Sequence, residues 1–210
     1  GSVIWWWKTF CDLVGHDKAT LIMHTDVNDP HGQPLEFLAH ELGLMNGQIT
    51  FSKDKLAPEH LAVYYNLADV TINISDAEGF GLATLESLSC GTPVVVTMTG
   101  GLQEQVTDGD KFFGVGIEPT SKAIIGSQQV PYIFEDRINE EVFVAALKKM
   151  YDMSQEERDE LGRLGSEHVS KNYSFEKFNK QWIDLLLDVH ETCGSWENRK
   201  NYNAWEFIEL

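Results

Sequence analysis

Continuous runs of apolar, mostly β-branched residues alternate with stretches of helical periodicity from about residue 19 onward. Val94–Val96 run without a polar residue between them, which indicates a strand that is buried on both faces. Leu61, Tyr64, Tyr65 and Ala68 recur instead at the spacing of one helix face. Because strands and helices alternate along the chain, the pattern predicts an α/β fold in which helices flank a parallel sheet.

The predicted strands cover residues 19–24, 48–51, 70–74, 92–97 and 112–117. Helices are predicted at residues 3–14, 34–44, 81–89 and 102–106, and a further helix begins at Pro58. Residues 118–140 are polar and irregular apart from an apolar island at 130–134, and we expect a loop there. Beyond residue 140 the pattern predicts C-terminal helices. Ser154 and Glu157 form a capping box at the start of one of them.

The pattern predicts one main domain, residues 1–195, and a final amphipathic helix, residues 196–210. That helix either folds back on the main domain or crosses to a domain outside this sequence, and crossing is the favoured alternative. A doubly wound domain usually opens with its central strand, whereas this chain opens with a predicted helix that carries Trp5, Trp6 and Trp7. We therefore expect the central strand upstream of residue 1, and a missing partner over part of the tryptophan surface.

Charge and composition narrow the possible functions. The 210 residues include 33 acidic and 16 basic ones, a net charge of −17, which disfavours nucleic acid because its phosphates are bound by clustered lysine and arginine. The longest apolar runs fall far short of the roughly 20 residues that span a membrane, so we expect no spanning segment and a cytoplasmic location. Three widely spaced cysteines fit neither a disulfide framework nor a zinc site.

The candidate chemistry lies in the segment EGFGLATLE, residues 78–86, which follows the third predicted strand. Ligands of open parallel sheets bind beyond the carboxyl ends of the strands. Gly79 and Gly81 remove side chains at a predicted helix start, where free N–H groups favour an anion such as phosphate. If both were helical, Glu78 and Glu86 would lie ~80° apart in azimuth and roughly 12 Å apart along the axis, facing one cleft.

Two such carboxylates can each bind vicinal hydroxyl groups, one on either side of a diphosphate. A sugar at one carboxylate and a ribose at the other would fit this arrangement. The alternative interpretation is a pair of solvated acids on a helix.

Two more positions at predicted strand ends are candidates. His24 ends the first strand on the ligand side of the sheet and is either a site residue or a strand-end histidine with ordinary partners. Gly100 and Gly101 follow the fourth strand and are either a tight turn alone or a contact to a sugar.

These motifs resemble those of a known family. The residues concerned are Tyr65–Val70, Ser75, Glu78–Glu86, Cys90–Val95 and Gly100–Gly101. They resemble the donor-binding half of the retaining glycosyltransferases of family four, densely over residues 58–109 and more loosely over 19–57 and 140–190. Members of that family have two facing Rossmann-like domains. The resemblance therefore implies that this chain is the C-terminal, Rossmann-like half, and that an N-terminal acceptor domain is missing from it.

The resemblance also implies roles for individual residues. Glu78 would be the catalytic residue, contacting the transferred sugar and positioning its anomeric carbon, while Glu86 would hold the ribose hydroxyls. The backbone that follows Glu78 would meet the diphosphate, and residues 51–53 would lie near the base. The candidate donor-binding residues are Glu78, Gly79, Phe80, Gly81, Leu82, Glu86, Ser75, Ser52, His24, Gly100 and Gly101.

By the same resemblance, no metal and no cofactor are expected, because these enzymes bind the diphosphate of their donor without a metal. They use an arginine and a lysine placed just before the first helix of this half. In this chain those positions would lie upstream of residue 1, since Lys8 falls inside the predicted first helix.

The implied function is transfer of a glycosyl group from a nucleotide-diphosphate sugar to an acceptor hydroxyl with retention of the anomeric configuration. The isolated half is expected to be inactive, and attachment to a membrane surface through the missing half stays open. One alternative is a non-catalytic module that binds a sugar nucleotide. Another is a sugar-nucleotide epimerase or phosphorylase on the same architecture.

Overall fold

A computed structural model describes residues 1–201 of the chain. The helices are α1 (Ser2–Val14), α2 (Leu35–Glu41), α3 (Pro58–Leu67), α4 (Leu82–Ser89), α5 (Leu102–Val106), α6 (Glu140–Asp152), α7 (Gln155–Asn172) and α8 (Phe175–Cys193). The strands are β1 (Leu21–His24), β2 (Ile49–Ser52), β3 (Thr71–Asn73), β4 (Val94–Thr97), β5 (Gly114–Ile117), β6 (Ser121–Ile125) and β7 (Ile133–Arg137). The first compact unit comprises residues 1–167, and a second unit begins at residue 168.

The first five strands are parallel, which confirms the predicted α/β fold. They form two hydrogen-bonded groups: β1 pairs with β2, and β3, β4 and β5 pair in that order. All four residues of β4 are buried, as expected for the middle strand of a parallel sheet. Among the described residues β1 and β3 each have a single strand neighbour, and the upstream central strand stays a prediction.

The segment predicted as a loop, residues 118–140, contains an antiparallel hairpin, so that prediction was wrong. Strands β6 and β7 pair with Ser121 opposite Arg137 and Ile125 opposite Ile133. Most residues of the two strands are exposed, so the alternation of buried and polar positions that marks a strand in sequence is weak here. The apolar island at residues 130–134 supplies the turn and the start of β7.

Helix α1 packs against the core of the first unit, and its three tryptophans lie in different environments. Trp7 is buried and its indole N–H donates to the Gln48 carbonyl oxygen at 2.8 Å. Trp6 packs on Phe143 of α6, with ring centroids 5.4 Å apart. Trp5 is 54% exposed and its indole N–H donates to the Glu140 carboxylate at 3.3 Å. Trp7 is therefore a core residue, and Trp6 is only partly buried.

Cys11 on α1 gives the fold an alkaline sensitivity. The thiol is buried, and burial, with the charge of Asp12 adding to it, raises its pKa from 9.0 to about 11. Since the folded-state pKa exceeds the unfolded value, the unfolded chain loses this proton first. The stabilisation is complete below about pH 9 and is lost as pH rises through about 11.

We therefore expect the free energy of unfolding to fall by about 2 kcal/mol between pH 9 and pH 11 on account of Cys11. Urea denaturation at both pH values would measure the drop. Cys11→Ala, compared with the parent chain, isolates the contribution of this thiol from that of every other group. Equal drops in the two proteins would contradict the assignment.

The helix start predicted at Ser154 is confirmed. Ser154 and Glu157 form the expected capping box, in which the Ser154 N–H donates to Glu157 Oε2 at 2.8 Å and the Glu157 N–H to Ser154 Oγ at 3.2 Å. Residues 196–201 are not helical, and residues 202–210 of the predicted final helix lie outside the described residues. No helix within residues 1–201 is long and apolar enough to cross a membrane.

Candidate functional site

Glu78 lies in the loop between β3 and α4. The helix begins only at Leu82, because Gly81 takes a left-handed backbone conformation (φ 88°) that ends the loop and starts the helix. The helical geometry considered for Glu78 and Glu86 is therefore wrong for Glu78. Glu86 lies on the exposed face of α4, whereas Glu78 is half-buried beside the end of β3.

The backbone of this loop packs directly against Gly100 and Gly101. A Cβ atom on Gly100 would lie 1.7 Å from the Glu78 carbonyl oxygen, and one on Gly101 would lie 2.6 Å from the Phe80 carbonyl oxygen. The Gly101 N–H donates to the Gly79 carbonyl oxygen at 3.2 Å. The two glycines therefore support the loop backbone directly, whether or not they also meet a sugar.

The start of α4 is open towards an anion. Within the described chain no side chain caps this helix. The Thr84 N–H donates to the Gly81 carbonyl oxygen at 3.1 Å, which leaves the N–H groups of Leu82 and Ala83 for a ligand. Phe80 and Leu82 beside it are 50% and 66% exposed, and Gly79 is exposed as well. Gly81 between them is buried, so the accessible part of this stretch is Gly79, Phe80 and Leu82.

Ser75 connects Glu78 to the end of β3. Its hydroxyl oxygen lies 2.8 Å from Asn73 Oδ1 and 3.3 Å from Glu78 Oε2, and its single proton can serve one acceptor at a time. The shorter distance favours Asn73. Ser75 therefore does not hold the Glu78 carboxylate firmly, and that carboxylate can accept hydrogen bonds from a bound hydroxyl.

Glu86 is oriented by a residue that sequence reasoning did not single out as part of the site. The Tyr65 hydroxyl on α3 donates to Glu86 Oε2 at 2.9 Å. Burial, and then this hydrogen bond to a carboxylate, raise the pKa of Tyr65 well above its usual range, so the hydroxyl stays a donor. Tyr65 lies within one of the segments that resemble the family, and this was the available signal.

Removing the Tyr65 hydroxyl should weaken any ligand held by Glu86 without unfolding the chain. If a nucleotide binds at Glu86, as the family resemblance implies, we expect Tyr65→Phe to lower its affinity about threefold, because one neutral-to-charged hydrogen bond at a half-exposed site is lost. Isothermal titration calorimetry with UDP would measure it. Tyr151→Phe removes a hydroxyl elsewhere on the surface and should leave affinity unchanged, and an equal loss in both variants would argue against a specific role.

His24 and Ser52 form a second cluster at the ends of β1 and β2. The two residues are opposite each other in the parallel register, and His24 Nδ1 lies 3.0 Å from Ser52 Oγ. The imidazole also stacks at an angle on Tyr64 of α3, with centroids 6.0 Å apart. Sequence reasoning named His24 and Ser52 separately, and the structure brings them together.

The hairpin contributes a polar cluster beside the Glu78 loop that the sequence prediction missed. Arg137 of β7 donates to the carboxylates of Asp76 and Glu135. The Asp136 N–H donates to the Asp76 carbonyl oxygen at 2.8 Å, and Thr99 Oγ1 donates to Asp136 Oδ2 at 2.7 Å. The base of the hairpin is thus bonded to the loops after both β3 and β4.

Solved structures share this fold. The chain superposes on sucrose-phosphate synthase from Thermosynechococcus elongatus with a TM-score of 0.66 at 23% identity, over 89% of this chain and 42% of that one. Anabaena HepE in complex with UDP-glucose gives 0.64 at 17% identity, over 90% and 45%. The C-terminal domain of the group 1 glycosyl transferase LpcC from Francisella tularensis gives 0.59 at 19% identity, over 82% and 78%.

Curated relatives match the sequence over segments of different length. D-inositol 3-phosphate glycosyltransferase of Corynebacterium urealyticum is 30% identical over 155 residues, which is 74% of this chain and 31% of that protein. The enzyme of the same name from Streptosporangium roseum is 54% identical over 54 residues, 25% of this chain and 12% of that protein. The chain spans less than a third of the length of either relative.

The sequence profile of the glycosyl transferases group 1 matches residues 8–167, which include the Glu78 loop, α4 and the hairpin. The chain covers 78% of the LpcC domain and has the same fold. This chain belongs to the glycosyl transferases group 1 family, and its Rossmann-like fold is that of the C-terminal domain of the family member LpcC.

Proposed function

We propose that this chain holds the donor of a glycosyl transfer reaction, a nucleotide-diphosphate sugar, at the edge where β3 and β4 end. The diphosphate lies at the start of α4, the sugar at Glu78 and the ribose at Glu86. The observation that carries the proposal is the uncapped helix start, held open by backbone contact with Gly100 and Gly101 between two carboxylates.

The local chemistry explains how so acidic a chain binds a diphosphate. The N–H groups and dipole of α4 supply positive potential at the point where the phosphate charge would lie. Glu78 and Glu86 lie to either side of that point in sequence and accept hydrogen bonds from hydroxyl groups. We propose on this basis that binding needs neither a metal nor a cofactor.

The relatives support transfer over the other two hypotheses, epimerisation and binding alone. Both curated relatives are named for glycosyl transfer to D-inositol 3-phosphate, and the Anabaena structure contains UDP-glucose. The acceptor of this protein is proposed to bind to a part of the protein that the chain does not include, because the chain spans less than a third of those relatives. The isolated chain is then expected to bind the donor without transferring its sugar.

The proposed reaction retains the anomeric configuration. The bond from the anomeric carbon to the diphosphate oxygen breaks while the acceptor oxygen bonds to the same face of that carbon, and the acceptor proton passes to the leaving diphosphate. Glu78 would position the sugar, and the N–H groups at the start of α4 would stabilise the charge that develops on the diphosphate. Proton NMR of the product formed by the whole protein distinguishes retention from inversion by the coupling at the anomeric proton.

The experiment that tests donor binding is a thermal-shift panel of UDP, GDP, ADP and their common sugar conjugates on this chain, with and without EDTA. A rise in melting temperature with one nucleotide, unchanged by EDTA, would support the proposal, because a ligand that binds only the folded state stabilises it. No rise with any member, repeated on the whole protein, would refute it. A rise only without EDTA would refute metal-independent binding.

A further inference from the structure

We propose that Arg137, through its ion pair with Asp76, is a positioning residue for the diphosphate end of the donor site. This inference rests on the proposed function, because it concerns the loop at which the diphosphate is proposed to bind. Neither residue was among the candidates that the sequence indicated.

The base of the β6–β7 hairpin joins the two loops that build the site. Arg137 pairs with the carboxylate of Asp76, the third residue after β3, while the neighbouring Asp136 N–H donates to the Asp76 carbonyl oxygen at 2.8 Å. On the other side Thr99, which directly precedes Gly100, donates to Asp136 Oδ2 at 2.7 Å. One short segment of β7 therefore fixes the backbone on both sides of the Glu78 loop.

The bonds from β7 to Asp76 hold a part of the Glu78 loop that makes few other contacts. Two residues separate Asp76 from Gly79, and Gly79 has no atom within 4 Å of the position that its Cβ would take. From Gly79 onward the loop is held by Gly101 and by the Gln105 side chain, which donates to the Phe80 carbonyl oxygen. Asp76 is thus the anchor on the strand side, and its position influences where the N–H groups at the start of α4 point.

Arginine suits this role because of its shape. Its planar guanidinium holds the Asp76 and Glu135 carboxylates at a fixed angle, which the single ammonium of a lysine cannot do. The Arg137 and Asp76 side chains are 40% and 43% exposed, so the pair adds little to global stability. Its effect should appear in the geometry of the loop, and hence in how well the second phosphate of a nucleoside diphosphate is bound.

The affinity ratio of UDP to UMP reports on this geometry. The two nucleotides share base and ribose, so a change in the ratio reflects the second phosphate alone. Calorimetric titration of the chain with both probes, or with the corresponding pair if the panel identifies another base, would compare Arg137→Gln, Arg137→Lys and the control Lys122→Gln. Lys122 lies on the same hairpin, 3.7 Å from Asp136, with 70% of its side chain exposed.

We expect the ratio to fall about fivefold in both Arg137 variants and to stay unchanged in Lys122→Gln. Asp76→Asn removes the pair from the other side and should lower the ratio as well. A falling melting temperature with an unchanged ratio would reduce the pair to a structural role and overturn the inference. Full rescue by Arg137→Lys would do the same, since charge alone would then suffice. Absence of nucleotide binding by the parent chain and by the whole protein would instead refute the proposed function.

Discussion

Replacing Gly100 with alanine should destabilise the first unit and abolish nucleotide binding together. The added Cβ would lie 1.7 Å from the Glu78 carbonyl oxygen, an overlap that only a backbone shift can relieve, and Gly100 has a positive φ of 49°. We expect a loss of about 3 kcal/mol or more in the free energy of unfolding, since strain and a displaced loop add up. Urea denaturation and UDP titration of the same sample would measure both effects.

Gly43 provides the matched control for backbone strain. It also has a positive φ, 71°, but nothing lies within 4 Å of the position that its Cβ would take. Gly43→Ala should therefore cost only the conformational penalty of about 1 kcal/mol and leave nucleotide binding intact. Similar stability losses in the two variants would show that the close contact with Glu78 contributes nothing, which would contradict the role given to Gly100.

The parallel core could be predicted because burial on both faces leaves a strong trace in sequence. A strand such as Val94–Thr97 has no polar face to interrupt it, so its apolar run is continuous and bounded by turn residues. The capping box of Ser154 and Glu157 was equally readable, because it depends on two side chains at a fixed local spacing. Both features depend only on residues that are close together in the sequence.

The hairpin and the polar cluster at its base depend on contacts between distant residues. Pairing of β6 with β7 leaves most side chains exposed, so neither strand needs a continuous apolar run. Arg137 and Asp76 are separated by 61 positions, and Tyr65 and Glu86 by 21. No local pattern connects such partners, which is why the segments were found but their side-chain contacts were not.

The helix predicted at residues 81–89 already left Glu78 outside it, as the structure does. The geometry that holds only if Glu78 and Glu86 are both helical does not apply, because Gly81 is left-handed and α4 begins one residue later. A glycine in this segment signalled an unusual backbone, but not which of the two glycines, Gly79 or Gly81, would adopt it. The chemistry of the two carboxylates survives this correction, because each still flanks the open helix start.

Replacing Glu86 with glutamine should remove the preference of the chain for ribose over deoxyribose. Glu86 is exposed on α4 and oriented by Tyr65, and in the proposed complex its carboxylate accepts hydrogen bonds from the ribose hydroxyls. Glutamine keeps the size and one acceptor oxygen but loses the charge. We expect UDP affinity to fall about tenfold, because charge-assisted hydrogen bonds are lost at a partly solvated site.

The comparison with dUDP makes this prediction specific to the hydroxyl. If the Glu86 carboxylate binds the 2′-hydroxyl, removing the carboxylate and removing the hydroxyl should each cost about the same binding free energy. Removing both should cost little more than removing one. The parent chain should prefer UDP to dUDP about tenfold and Glu86→Gln should show almost no preference. Glu156→Gln, an equal change of charge in the first turn of α7, should keep the preference of the parent. If Glu86→Gln weakened both nucleotides equally, Glu86 would act through charge or packing, and the ribose would have to bind elsewhere on the protein.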